Sequence, residues 1–277
     1  MMVGIKGAPD QLSLRVISAL VMIPAGLGVV WAGGAVLLLA GLVCGAVMWS
    51  EFFTVTTKQK FNAVSVILAG LMGVGIFALT WQDQLAGLIF AGCLAVAAVC
   101  LLVTKTPKLA WLLGGMLAIS VAVSSLILLR GTSADRLILT FIVMTGVWVT
   151  DIAAYFAGRG FGGPQLSPRG SPNKTWSGAA GAMICTALVG AFVAGLVGGP
   201  ILNWVLFMAA VSIVGQAGDL TQSLWKRRFG VKDSGSIIPG HGGVLDRLDS
   251  FSSVLIILGL ILYFSPRFPV LYLGMGA

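Results

Sequence analysis

The residues best suited to chemistry crowd into one stretch. From Asp219 to Asp249 the chain reads DLTQSLWKRRFGVKDSGSIIPGHGGVLDRLD, which gathers four acids, five bases, five glycines and the only histidine between two apolar runs. Asp219, Ser223 and Lys226 stand at i, i+4 and i+7, so a helix would set a carboxylate, a hydroxyl and an ammonium on one stripe. Asp246 and Asp249, at i and i+3, are expected to share the first turn of the following helix. Between these groups Gly230, Gly235, Pro239, Gly240, Gly242 and Gly243 break any regular helix, and such backbone brings its N–H groups close to phosphate oxygens. Carboxylates clustered without thiolates, beside a single His, favour a hard ion such as Mg2+ over zinc. Lys and Arg next to them would repel a bare cation but hold a phosphate chain bridged by one. Metal with polyphosphate is therefore the economical chemistry. The bland alternative is a loop whose charges pair at a solvated surface, and the Lys226-Arg227-Arg228 triplet alone supports no more than that. Asp219 and Asp246 resist it, because they adjoin apolar runs where an idle carboxylate is costly.

A second polar block, DIAAYFAGRGFGGPQLSPRGSPNKTWSG, runs from Asp151 to Gly178. Its GRGFGG has the form of a dinucleotide fingerprint, yet it follows an apolar run rather than a strand and opens no βαβ unit. A flexible loop is the expectation, with Ser171-Pro172 ahead of the next helix. Lys174 then serves either a phosphate or simple orientation. Asp151, a turn or two inside its apolar run, needs a cation or polar partner. Glu51 stands in a similar place, where an ordinary interfacial acid is as good a description. No Walker A, HExxH or GxSxG pattern occurs. His241, set in PGHGG, lacks a Ser or Cys at triad spacing.

The elements that must position these groups are membrane helices. The chain is 58% hydrophobic and 9% charged, far from the quarter or so of charged residues usual in soluble domains. Its apolar runs have the length needed to cross about 30 Å of hydrocarbon. The fold class is thus all-α and polytopic, a single catalytic domain over residues 1–277, with about nine spans: Val16–Trp31, Ala35–Ser50, Val64–Trp81, Leu85–Val103, Leu109–Leu129, Leu137–Phe156, Gly178–Val197, Ile201–Leu220 and Ser250–Phe264. Gly33 and Gly34 join the first two as a tight helical hairpin. A cytoplasmic N-terminus puts Lys6, Arg15, Lys58, Lys60, Lys105, Lys108, Arg159, Arg169, Lys174, Lys226, Arg227, Arg228, Lys232 and Arg247 inside, 14 of the 17 basic residues, as the positive-inside rule prefers. Only Arg130, Arg136 and Arg267 fall outside. The net charge of +8 becomes a one-sided field suited to anionic head groups or nucleotides. A cleaved signal peptide would also begin this way, but Trp31 leads into another span, so a retained first span is expected. Cys44, Cys93, Cys100 and Cys185 lie within spans without ligand spacing and are packing residues. Trp31, Trp49, Trp81 and Trp111 fall near span ends as interfacial anchors. Abundant small residues would permit close helix packing or a homodimer.

Taken together, Ser223, Lys226-Arg227, Lys232-Asp233, Pro239, His241-Gly242-Gly243, Asp246-Arg247 and Asp249 resemble the signature of the phosphatidate cytidylyltransferases, or CDP-diacylglycerol synthases. The Ala-Tyr-Phe-x-Gly-Arg and Ser-Pro-x-Lys-Thr segments of the Asp151–Gly178 block are similar to that family's second cytoplasmic segment. Two positions depart from the pattern: Trp225 stands where an aliphatic residue or Phe is expected, and Ser177 where relatives often carry an acid. The resemblance implies transfer of the cytidylyl group of CTP to phosphatidic acid, with Mg2+ and room for a second, monovalent cation. It implies an inner-membrane enzyme with a cytoplasmic site and no nucleic-acid partner. It also implies a metal site on Asp219 and Asp246. The roles expected around that site are support from Asp249 and Asp151, phosphate contacts from Lys226, Arg227, Lys232, Arg247 and Lys174, and close backbone approach at Gly242 and Gly243. Ser223 belongs to the Asp219 stripe, and His241 either meets the triphosphate or orients a carboxylate. The rivals are a related enzyme using a polyprenol or ether-lipid phosphate, an anion transporter, and a polybasic scaffold. A transporter would show internal repeats and midplane polar breaks, whereas these charges crowd one face.

Overall fold

Apolar runs too long for a soluble core satisfy their backbone groups internally as helices. The computed structural model describes residues 11–81 and 84–275, the side chains of 11–15 and 84 excepted, and it is almost wholly helical. The expected inside charge of Lys6 and the side chain of Arg15 lie outside the described residues. The helices are α1 (Gln11–Ala32), α2 (Gly34–Thr57), α3 (Ala63–Leu79), α4 (Gln84–Val103), α5 (Leu109–Arg130), α6 (Ala134–Phe161), α7 (Trp176–Val197), α8 (Ile201–Arg228), α9 (Asp249–Phe264) and a short α10 (Phe268–Leu273). Each expected span is one of the first nine, although α3 stops at Leu79, short of Trp81. Six of them (α2 and α4 to α8) are long and apolar enough to cross a membrane, which makes this a multi-pass membrane protein; α1, α3 and α9 contain shorter apolar stretches.

Local chemistry sets several ends. Asn62 and Ser65 form a reciprocal capping box at the start of α3, which satisfies two otherwise orphaned donors. Thr175 caps α7 by accepting the Gly178 N–H at 3.1 Å. Gly33, at φ 62°, turns α1 into α2, and a Cβ there would meet the Arg130 guanidinium at 2.9 Å. That guanidinium donates to the carbonyls of Val30 and Trp31, while Arg136 donates to those of Leu128 and Pro266. Two of the three basic residues on the sparsely charged end are thus consumed by helix-end carbonyls.

Two apolar cores lie side by side. One joins α5 to α9 around Val143, Trp204, Met208 and Val254; the other joins α2 to α5 around Trp49, Phe53, Met72 and Met116, and takes in Trp225 and Leu245. Trp49 is therefore no interfacial anchor. It is fully buried, with its indole N–H on the Ser65 carbonyl at 3.1 Å, whereas Trp31 and Trp81 remain well exposed. α6 and α7 approach closely because Gly178 and Gly181 carry no side chain: a Cβ on Gly178 would sit 2.8 Å from the Ala154 carbonyl, and one on Gly181 would sit 2.4 Å from Ala157 Cβ. Thr150 and Thr186 share a buried hydrogen bond across the same seam, 2.9 Å long.

The segment expected as a flexible loop after α6 is instead an antiparallel hairpin, β1 (Gln165–Ser167) with β2 (Ser171–Thr175). It folds back over α8: the Arg227 side chain donates to the Gly170 carbonyl at 3.4 Å, and a Cβ on Gly170 would press on Leu224 at 3.0 Å. This docking brings β2 beside the polar end of α8.

Candidate active site

At that end α8 runs past its apolar portion to Arg228 and carries Asp219, Ser223, Lys226 and Arg227. The expected stripe forms in part. Ser223 Oγ donates to Asp219 Oδ1 at 3.3 Å, and Lys174, delivered by β2, pairs with Asp219 Oδ2. Lys226 turns the other way. Its ammonium donates to Asp246 Oδ1 at 2.8 Å, with Lys226 8% and Asp246 7% exposed.

Asp246 does not share the first turn of α9. It sits in the preceding turn, with α9 opening at Asp249. There its Oδ2 accepts the Ser234 N–H at 2.7 Å and the Gly243 N–H at 3.0 Å, so the carboxylate ties three points of the loop together. Burial pushes this carboxyl up, but the Lys226 ammonium and the two backbone N–H groups outweigh it and hold the group below the usual carboxylate range.

Glu51 completes the tie from the far side. Reaching from α2 and only 5% exposed, it accepts the Ser234 hydroxyl at 3.0 Å and the Val244 and Leu245 N–H groups at 2.9 Å each. Gly235 and Gly243 make room for it: a Cβ on either would come within 2.7 Å of a Glu51 oxygen. The sequence signal was a lone acid amid Trp49, Phe52 and Phe53, where an unpartnered carboxylate is too costly to be idle.

The remaining carboxylates face a different space. Asp219 lies within electrostatic range of both Asp151, on α6, and Asp249, and Lys174 and Arg247 act on Asp151 in turn. Three carboxylates, a lysine and an arginine, drawn from α6, β2, α8, α9 and the loop, thus converge at one end of the bundle. Their oxygens are the hard donors that suit Mg2+, and Asp219 and Asp249 keep acceptor capacity to spare: among the described residues the Asp249 carboxylate accepts only the Ser250 N–H, at 2.8 Å. Among the described residues no three His, Cys, Asp or Glu form a ready ligand set, so substrate phosphate oxygens would have to complete the shell, as is common for Mg2+.

The loop residues fall into place around this. Ile238, Pro239, Gly240 and His241 make a tight turn, with the His241 N–H on the Ile238 carbonyl at 3.0 Å and Gly240 at φ 73°, the glycine-favouring conformation that a Pro-Gly turn requires. His241 Nδ1 contacts Ser18 Oγ of α1 at 2.7 Å. Gly242, at φ 82°, lies against Asp246. Lys232 and Asp233 are exposed. Ser177, at the position where an acid was expected, donates to the Gly162 carbonyl and closes the hairpin's base.

Residues 13–265 match the model of the cytidylyltransferase family. A phosphatidate cytidylyltransferase of Brucella suis is 38% identical over 256 residues, 91% of this chain and 93% of its own. Those of Staphylococcus haemolyticus and Staphylococcus epidermidis are 45% and 48% identical over 133 and 118 residues, about half of each chain.

Proposed function

The chain belongs to the cytidylyltransferase family, and from that premise we propose how its site works: it transfers the cytidylyl group of CTP to phosphatidate, giving CDP-diacylglycerol and pyrophosphate. A phosphate oxygen of phosphatidate attacks the α-phosphorus of CTP. A new P–O bond forms, the bond between the α-phosphorus and its bridging oxygen breaks, and pyrophosphate leaves with the electron pair. The attacking phosphate monoester is largely ionised near neutral pH, its second pKa being about 6, so no strong general base is needed. The obstacle is repulsion between two anions, and the site answers it with fixed charge. The observation that carries the proposal is the convergence of Asp219, Asp249 and Asp151 with Lys174 and Arg247 at one end of the bundle.

Asp219 and Asp249, with the Oδ1 of Asp246 beside Lys226, are the oxygens that would hold Mg2+, and a second, monovalent cation would sit toward Asp151. When bound, the metal would neutralise charge on the triphosphate. Lys174 and Arg247 hold phosphate oxygens, and exposed Lys232 and Arg227 extend the same field. Glu51, Asp246 and Lys226 keep the loop in register so that these groups meet.

α1, α3 and α9 span together with the six longer helices, with the N-terminus and the site in the cytoplasm and the protein in the cell's inner membrane. Contacts across the bundle support this alternation: Ser18–His241, Lys58–Phe229 and Arg227–Gly170 join segments at the charged end, while Arg130–Val30 and Arg136–Pro266 join segments at the other.

The test is transfer of label from CTP carrying it at the α-phosphate into lipid by the purified protein, with phosphatidate and Mg2+ each withheld in turn. Label in CDP-diacylglycerol only when both are present is the expected result. Folded protein that labels another lipid phosphate instead would overturn the substrate.

A further inference from the structure

α8 carries a second stripe, turned away from the carboxylates, that borders a cavity of about 790 Å3 between α2, α5, α8 and α9. Its lining is mostly apolar, with Ile213 and Val214 facing Ile256 and Ile257. Two residues of that lining carry anomalous polar atoms. Trp225 Nε1 and Gln222 Oε1 are buried without a hydrogen-bond partner, although Trp225 is only 6% exposed and its ring is fixed by a 4.7 Å stack on Phe52. A buried indole N–H normally finds an acceptor. Here none of the described residues supplies one.

Trp111, at the charged end of this lining, also borders a second pocket of about 520 Å3. This pocket is bordered by Lys58, Lys108 and Arg228 with Phe229 and Gly230. Among the described residues the two ion pairs are Lys174–Asp219 and Lys226–Asp246, so no carboxylate neutralises these three cations. Lys58 gives one hydrogen to the Phe229 carbonyl and keeps two, and Arg228 lies over the Trp111 ring, 5.7 Å from its centroid. Both lysines occupy the left-handed region, at φ 61° and 68°, a conformation that side chains with a Cβ seldom adopt without a reason in the surrounding structure. Arg228 is nine residues beyond Asp219, about 13 Å along the helix, so the pocket is separate from the carboxylate cluster.

We propose that pocket and cavity form one seat for an anionic glycerophospholipid, with its phosphate on Lys58, Lys108 and Arg228. An ester carbonyl accepts from Trp225 Nε1, and the acyl chains lie between α5, α8 and α9. The charge, the orphaned N–H and the apolar volume follow one another in the order in which such a lipid presents phosphate, ester and chain. The seat rests on the membrane placement proposed above and not on the reaction.

Native mass spectrometry of the full chain in detergent, without CTP, tests it with phosphatidylglycerol and phosphatidylcholine of identical acyl chains. Phosphatidylglycerol is expected to bind about tenfold more tightly, a difference worth 1.4 kcal/mol. Combining K58Q, K108Q and R228Q is expected to abolish that preference. Trp225→Phe keeps the stack on Phe52 and loses the N–H, so it is expected to weaken both lipids alike by about fivefold, in line with one hydrogen bond. Equal affinity of the wild-type protein for the two lipids would overturn the seat, and that comparison stands even where the triple variant does not fold. Displacement of phosphatidylglycerol by inorganic phosphate alone would overturn it too, by showing a site for a free anion.

Discussion

Two acidic regions sit within a few turns of each other and spend their charge differently. Glu51 and Asp246 are buried, and between them they accept six hydrogen bonds, four from backbone N–H groups, one from Ser234 Oγ and one from Lys226. Asp219, Asp249 and Asp151 repel one another, and among the described residues only Lys174 forms an ion pair with any of them. The first region is largely satisfied by the fold, with Asp246 Oδ1 alone proposed above to serve a cation as well; the second is left for something to come. Carboxylates of one chemical type therefore divide into a tether and a site according to how many protein donors reach them, a distinction that burial alone would not draw.

The sharpest way to break this comparison is to neutralise one acid in each region and read activity and stability separately. Asp219→Asn is expected to cut turnover about 10^3-fold, the scale of losing a fixed transition-state electrostatic partner, with the unfolding midpoint nearly unchanged. Near wild-type turnover at saturating Mg2+ would remove Asp219 from the chemistry. Glu51→Ala should do the reverse in order of cause, destabilising by about 3 kcal/mol as buried donors lose their acceptor. Hydrogen exchange would show it first at the amides of Val244 and Leu245, and unchanged protection there would mean that the tether is not what holds the loop.

The tether also predicts a pH limb. Because Asp246 is held below the usual carboxylate range, its contribution is fully present above the unfolded value, about 3.9, and is lost as pH falls through the lower folded value. Stability from this group should thus be flat from neutral pH down to about 5 and decline only in stronger acid. Asp246→Asn should lack that decline, and an acid limb equal to wild type would assign it to other carboxylates. The smallest effect is a control outside both regions. Trp49→Phe removes one buried hydrogen bond to the Ser65 carbonyl and is expected to cost about 1 kcal/mol with no change in turnover; a large activity loss would show that the α2 core communicates with the site.

Much of the molecule was legible in the residues. The helices appear where apolar runs predict them, since crossing a bilayer leaves the backbone little alternative. Asp219 and Ser223 meet because i and i+4 must lie on one helix face. What was not legible depended on partners distant in sequence. Lys226 left its stripe because Asp246, twenty residues on, lies within reach of a long flexible side chain. The 165–175 hairpin has no alternating apolar pattern to announce it, and its position comes from packing against α8 and from the close α6–α7 seam.

By itself the sequence determined a mainly helical membrane protein, the segments that carry its charge, and the family signature, because composition, periodicity and fixed motif spacing are local properties. Only the tertiary structure decided that Glu51 secures a loop 183 residues away, that Lys174 reaches Asp219, and which carboxylates stay open. Hydrogen-bond satisfaction is settled by which groups the packed helices bring within about 3 Å of one another, and spacing along the chain does not encode that.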